Sequence, residues 1–174
     1  NCLTGLRGLI SKDPNRARDF SASLARFLRA VVDSEKRKTI PLGQELDICK
    51  DFVQLEELRG RPIALQVQDR KEHDREIGIP PLTLVTLLEN AAKHGLRDGI
   101  QPMPVEISLD WSDPAHLRIE VRQPGSLQPL EGHGQPAGLD LVRRHIDMVF
   151  GKQGTLILME QPAGSVVAQL VLPA

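Results

Sequence analysis

The chain has 174 residues, 40% of them hydrophobic and 26% charged, a length that suits one compact domain or a small domain with a helical extension. Its net charge of -1 lacks the basic surplus of a phosphate-backbone binder, so no direct nucleic-acid contact is expected. Two cysteines, Cys2 and Cys49, exclude a disulfide framework and a cysteine zinc site, and no apolar run reaches the roughly 18 to 20 residues that span a bilayer.

The first third reads as helical. Leu3, Leu6 and Ile10 share a face, weakened by Gly5 and Gly8. Asp13-Pro14-Asn15 is a turn that starts a second helix, in which Ala17, Phe20, Leu24, Phe27, Leu28 and Val31 form one apolar stripe. Ser34 to Thr39 is polar and reads as a loop. Pro41 precedes a third helix, about Leu42 to Arg59, whose apolar positions Leu46, Cys49, Val53, Ile48, Phe52 and Leu55 make a face wide enough for two neighbours. Three such helices leave apolar surface uncovered unless they also meet a partner, and a homodimeric bundle is the simplest solution. The opening residue is Asn1 rather than Met, which leads to the expectation of a fragment with any membrane segment upstream.

From Arg61 the period changes from helical to strand. Ile63, Leu65 and Val67 alternate with Ala64 and Gln66, and two more strands carry Val105, Ile107, Leu109 and Leu117, Ile119, Val121. Between the first two lies a helix opened by Ile79-Pro80-Pro81 and stopped at Gly95. Ser126 to Pro136 is a Gly/Pro-rich loop, Gly138 to Phe150 a helix closed by Gly151, and Thr155 to Glu160 and Ser165 to Leu172 the last strands. The expected fold is α+β, a helical segment over residues 1–60 followed over 61–174 by an α/β sandwich with a mixed, mostly antiparallel sheet.

Two clusters carry chemistry. Within Glu89-Asn90-Ala91-Ala92-Lys93-His94-Gly95, residues Asn90, Lys93 and His94 share one helix edge and Glu89 lies four before Lys93. An Asn oxygen suits Mg²⁺ that keeps phosphate and water ligands; a polar helix end explains the same residues as an ordinary Lys and His near the C-terminal dipole. The second cluster is Gln123-Pro124-Gly125 at a strand end, then Gly132, Gly134 and Gly138-Leu139 before a helix, where backbone N–H groups and the helix N-terminus attract anions. It matches neither the P-loop nor the G-x-G-x-x-G spacing, and read alone is a plain connection. The five histidines show no metal-ligand spacing, and His73 and His116 read as solvated.

The order of these motifs resembles the LytS-like class of sensor histidine kinases, whose ATPase domain has the Bergerat (GHKL) fold. Ile79-Pro80-Pro81-Leu82 through Leu88-Glu89-Asn90-Ala91-Ala92-Lys93-His94-Gly95 is similar to that class's PPL start and ENAxKHG box. Leu24 to Arg29, Pro41 to Leu46, Leu55 to Arg59 and Gly164-Ser165 with Leu172-Pro173 resemble its second and third helices and last strand. The resemblance covers nearly the whole chain. It implies a bacterial two-component protein-histidine kinase with cofactors ATP and Mg²⁺, Asn90 holding the metal and Lys93 and His94 near the phosphates. Gln123, Gly125, Gly132, Gly134, Gly138, Leu139 and Ser165 would line the nucleotide site, and Glu89 would orient or deprotonate the attacking imidazole, unless it simply pairs with Lys93. Asn1-Cys2-Leu3 matches the end of the family's phosphoacceptor motif, which puts the phosphorylated histidine four residues before Asn1. The implied partners are a second copy, joined through the N-terminal helices, and a response-regulator receiver domain; the implied location is the cytoplasmic side of a membrane-anchored parent.

The chain departs from the family at five positions that matter. Gln123 stands where the family usually has an Asp, sometimes an Asn, that accepts from adenine, Val85 for a Gln, Pro136 for a glycine of the loop, and Leu141 and His145 for an Asn and an Arg. Gln is longer than Asp and presents one oxygen, and Pro removes an N–H donor. These losses favour a degenerate relative acting as a dimeric signalling scaffold; the intact Asn90, Lys93, His94 edge favours a working kinase. Another Bergerat ATPase or an anti-sigma-type kinase fits the three N-terminal helices less well.

Overall fold

A computed structural model of the chain describes residues 2–69, 76–97, 101–126, 137–162 and 164–174, without the side chains of 2–5, 94–97 and 137. In chain order the elements are α1 (Cys2–Lys12), α2 (Pro14–Glu35), β1 (Ile40–Pro41), α3 (Leu42–Leu58), β2 (Ile63–Asp69), β3 (Gly78–Ile79), α4 (Thr83–Arg97), β4 (Met103–Asp110), β5 (His116–Pro124), α5 (Ala137–Phe150), β6 (Thr155–Gln161) and β7 (Ser165–Pro173), with a 3₁₀ turn at Gly151–Gln153. Five strands form one sheet in the order β2-β4-β5-β7-β6. Only β2 and β4 run parallel, so the sheet is mixed and mostly antiparallel. No described helix is long and apolar enough to cross a membrane.

Alternation decides which sheet face meets the helices. Leu117, Ile119 and Val121 of β5 are paired in register with Leu172, Leu170 and Ala168 of β7, and all six are buried. On β4, Met103, Val105, Ile107 and Leu109 supply the same layer. The opposite face carries Arg118, Glu120, Arg122 and Gln169, the polar-out pattern of a sheet covered on one side. Leu84, Leu88, Leu139, Val142 and Ile146 of α4 and α5 close the core from the helix side.

The helical third behaves less uniformly than its periodicity predicts. The Asp13 carboxylate accepts from the N–H of Arg16 at 3.0 Å and caps α2, and Pro14 occupies its first turn. Ala17 and Phe20 are buried, but Leu28 is 50% exposed, so the apolar stripe is wider than the face α3 covers. Helix α2 also runs to Glu35, two residues into the stretch expected as a loop. It meets α3 through Phe27 and Phe52, whose rings lie 6.1 Å apart, and through Arg26, which donates to Asp51 (2.9 Å) and Gln54 (2.7 Å).

Helix α3 turns its other side to the sandwich. Ile40, Leu42, Leu46, Ile48 and Cys49 belong to the same continuous core as the sheet and α4. In addition, β1 pairs antiparallel with β3, Ile40 opposite Ile79, a two-stranded sheet too short to leave any sequence period. The turn at Arg59 to Pro62 lies where the division near residue 60 is expected, and packing runs across it. Strand β2 is a sheet edge: Ile63 is buried while Val67 is 37% exposed.

Candidate functional site

Helix α4 carries the first cluster, and its start differs from the sequence expectation. Pro80 and Pro81 precede the helix, which opens at Thr83 after Leu82 at φ 61. Only glycine adopts that left-handed region without strain, so a leucine there costs about 1–3 kcal/mol and needs support from its surroundings. The helix continues through Gly95 to Arg97 instead of stopping at the glycine, which a helix interior tolerates for about 1 kcal/mol.

The support for Leu82 comes from a residue that sequence reading missed. Glu45 of α3 is fully buried, and its carboxylate caps α4 from another element. The N–H of Leu82 donates to Oε2 at 3.0 Å, and those of Leu84 and Val85 donate to Oε1 at 2.9 and 3.3 Å. These are amides that a helix start leaves without intrahelical partners. A carboxylate there also answers the positive end of the helix dipole. The local signals were present separately: an acid amid the apolar Leu42, Leu46 and Cys49, and a helix start with no Ser, Thr, Asp or Asn before it. Nothing in the sequence joins them across some forty positions.

Burial pushes the Glu45 carboxyl up to about 7, against the opposing pull of the three N–H donors. Because the folded value lies above the ordinary carboxylate value of 4.5, the folded state binds the extra proton between the two. The Glu45 contribution to stability is therefore full below about pH 4.5 and lost as pH rises through about 7, on the order of 3 kcal/mol in all. Unfolding free energies of the chain and of Glu45→Gln, measured from pH 4.5 to 8, should show this slope in the first only; equal slopes would refute it.

Further along α4, Glu89 and Lys93 pair at 2.9 Å on the exposed side, an i,i+4 contact worth about 0.3–0.5 kcal/mol. The side-chain Nδ2 of Asn90 is buried and has no hydrogen-bond partner among the described residues. Buried amides are almost always satisfied, so this one is a donor that still wants an acceptor. One turn before Asn90 on the same face stands Thr86, and Gly138 lies against it: a Cβ at Gly138 would come within 3.0 Å of the Thr86 methyl. The glycine lets the N-terminus of α5 approach α4 beside Asn90. Leu139, next in α5, is buried in the core.

The strand ends supply a third wall. Gln123 continues the inward series Leu117, Ile119, Val121 by the period of two. Gly125, at φ 126, donates its N–H to the Gly164 carbonyl (2.9 Å), and Gly164 itself has φ 71, so two glycines close the β5–β7 end. Register sets Val166 opposite Gln123 and Ser165 opposite Pro124. Alternation thus gives Val166, and not Ser165, the face of Gln123. Gly132, Gly134 and Pro136 lie outside the described residues, as do His73, His133 and the His94 side chain. His116 pairs with Asp113 at 2.9 Å on the surface. Val85 is buried in the core, whereas Leu141 and His145 line a groove of about 580 Å³ together with Lys36, Met148 and, at the start of α4, Leu82 and Thr86.

Solved structures of histidine kinases resemble this arrangement. A mycobacterial sensor histidine kinase, MprB, superposes with a TM-score of 0.57 at 17% identity over 78% of this chain and 95% of its own. The histidine kinase domain of Erythrobacter litoralis EL346 gives 0.59 at 20% identity over 87% and 74%. The Acinetobacter baumannii kinase AdeS gives 0.56 at 12% identity over 99% and 92%. The helices and the mixed five-stranded sheet therefore make the GHKL-type α/β sandwich of histidine kinase catalytic domains.

Sequence narrows the class. The family model described as histidine kinase matches residues 1–62. The sensor histidine kinase/phosphatase LytS of Staphylococcus aureus, strains Mu50 and N315, is 30% identical over 128 residues, 72% of this chain. The chain belongs to the LytS-like sensor histidine kinase family. It spans about a fifth of the length of those curated relatives, 21%.

Proposed function

We propose that the chain is the ATP-binding catalytic portion of a two-component sensor histidine kinase, passing the γ-phosphoryl of Mg-ATP to a histidine upstream of residue 1 and thence to a response regulator. The observation that carries the reading is the buried, unpartnered Nδ2 of Asn90, one helical turn beyond the Thr86 that meets Gly138 of α5. The site residues fit the magnesium nucleotide: Asn90 offers an oxygen ligand and an amide donor, Lys93 a cation, and α5 the N–H groups of its first turn. Magnesium, when bound, would neutralise phosphate charge. Lys93 is engaged with Glu89, and phosphate would compete for that cation. Released, the Glu89 carboxylate is free to take the imidazole proton as the nitrogen attacks phosphorus and ADP leaves. His94, Gly125, Gly132, Gly134 and Leu139 belong to this site in the same reading, with Gln123 toward the base and Ser165 at the strand end beyond it.

We further propose residues 1–60 as the dimerisation and phosphotransfer segment and 61–174 as the ATP-binding unit. Ile10, Leu28 and Val32, each at least half exposed, support a homodimer through α1 and α2. Sedimentation of the chain as a monomer at micromolar concentration would remove that part. A location on the cytoplasmic side of a membrane-anchored parent follows from the same reading.

One observation favours the alternative, a non-catalytic dimeric scaffold: a Gln occupies the inward position at the end of β5, where its single oxygen replaces a carboxylate. Thermal unfolding separates the two. Ligand at a hundred times its dissociation constant adds about 2.7 kcal/mol, a rise of about 5–10 °C in a chain of this size. The kinase reading expects that rise with Mg-ATP and a smaller one with ATP and chelator. No rise at millimolar nucleotide favours the scaffold.

A further inference from the structure

Glu45 lies on the helix that joins the α2–α3 hairpin to the sandwich, and its hydrogen bonds end on the helix that carries Asn90. We propose that Glu45 is a positioning residue for nucleotide binding, its buried carboxylate locking the first turn of α4 to α3 so that the setting of Asn90 follows α3. The inference rests on the nucleotide reading of the Asn90 site.

Three observations combine. The carboxylate takes three amides of one helix start, more than a local cap residue satisfies. It holds Leu82 in a left-handed conformation that leucine avoids, and the Leu82 carbonyl in turn accepts from the Thr86 N–H (3.0 Å) and hydroxyl (2.6 Å). Thr86 is the residue that meets Gly138, one turn before Asn90. A chain of direct contacts therefore runs from Glu45 through Leu82 to Thr86, about 6 Å along α4 at 1.5 Å per residue, with Asn90 one turn further on. On its other side α3 is tied to α2 by Arg26, Asp51 and Gln54, so a shift of the hairpin is passed to α4.

The lock is sensitive to protonation, since an ionised carboxylate accepts more strongly than a neutral one. Few charges interfere. Cys49, one turn on in α3, is the titratable neighbour, its thiol pushed up by burial and then by Glu45. Strands β1 and β3 carry only Ile40, Pro41, Gly78 and Ile79, and α4 presents backbone N–H groups. On α2, Asp33 pairs with Lys36 and Arg26 with Asp51, and no charge from α2 or β2 contributes to the Glu45 shift.

The test compares the chain with Glu45→Gln, a neutral side chain of the same shape, by titration with a non-hydrolysable Mg-ATP analogue between pH 5.5 and 8.5. At pH 8 the variant should bind about tenfold more weakly, the difference between charged and neutral acceptors. The two affinities should converge toward pH 5.5, where Glu45 is itself neutral. The titrations of nucleotide and histidine are common to both chains and cancel. Side-chain amide NMR of Asn90 gives a second reading that needs no nucleotide. Its resonances should move with a midpoint near pH 7 in the native chain and stay still in Glu45→Gln. Equal affinities at pH 8, or Asn90 resonances indifferent to the substitution, overturn the proposal. Loss of nucleotide binding by the native chain at every pH sinks the functional reading, and the Asn90 resonances then decide the Glu45 proposal alone.

Discussion

Asn90→Ala should cost the chain about ten- to a hundredfold in affinity for Mg-ATP while leaving its thermal midpoint within about 2 °C. Hydrogen bonds to charged partners contribute about 1.5–3 kcal/mol each, and Asn90 is placed to offer one donor and one metal ligand. The Nδ2 of the same amide is buried without a partner and so adds no hydrogen bond to the fold; removing an unsatisfied buried polar atom is neutral or stabilising. Calorimetric titration reads the affinity and differential scanning calorimetry the midpoint. A variant that binds like the native chain would take Asn90 out of the site, and one that fails to fold would assign it a structural role.

Leu88→Ala, two residues earlier on the same helix, should do the reverse. Leu88 is fully buried in the continuous core beneath the sheet, and emptying such a position removes both its transfer energy and its packing. The cost is about 2–5 kcal/mol, a fall of about 10 °C in the unfolding midpoint at this chain length. Nucleotide affinity measured well below that midpoint should fall less than in Asn90→Ala, because Leu88 faces the sheet. A midpoint shift under about 2 °C would mean that the helix does not pack as described. The pair separates the two faces of α4 by chemistry that either face alone would not reveal.

How much of this was legible in sequence follows from the range of the interactions. The strands at Val105, Ile107, Leu109 and Leu117, Ile119, Val121 announce themselves because a half-covered sheet imposes a two-residue period. The Asn90 box and the Gly138 start of α5 are local runs, and the helix edge shared by Asn90 and Lys93 follows from spacing alone. Interactions between distant segments leave no such mark. The bond from Glu45 to the start of α4, the pairing of Ile40 with Ile79, and the register that parts Ser165 from Gln123 all join segments far apart in the chain. Periodicity also overstates burial. Leu28 lies on the helical stripe and Val67 on the alternating strand, yet both are exposed because α3 covers only part of α2 and β2 is a sheet edge. Of the glycine loop, Gly132 and Gly134 lie outside the described residues, and their part in the site rests on the family pattern.

The most direct test of the account is a calorimetric titration of the chain with a non-hydrolysable Mg-ATP analogue at pH 8. Saturable binding of one nucleotide per chain, lost on Asn90→Ala, is the predicted result. A folded chain that gives no binding heat up to millimolar analogue, with no thermal stabilisation, would contradict a nucleotide site between α4 and α5.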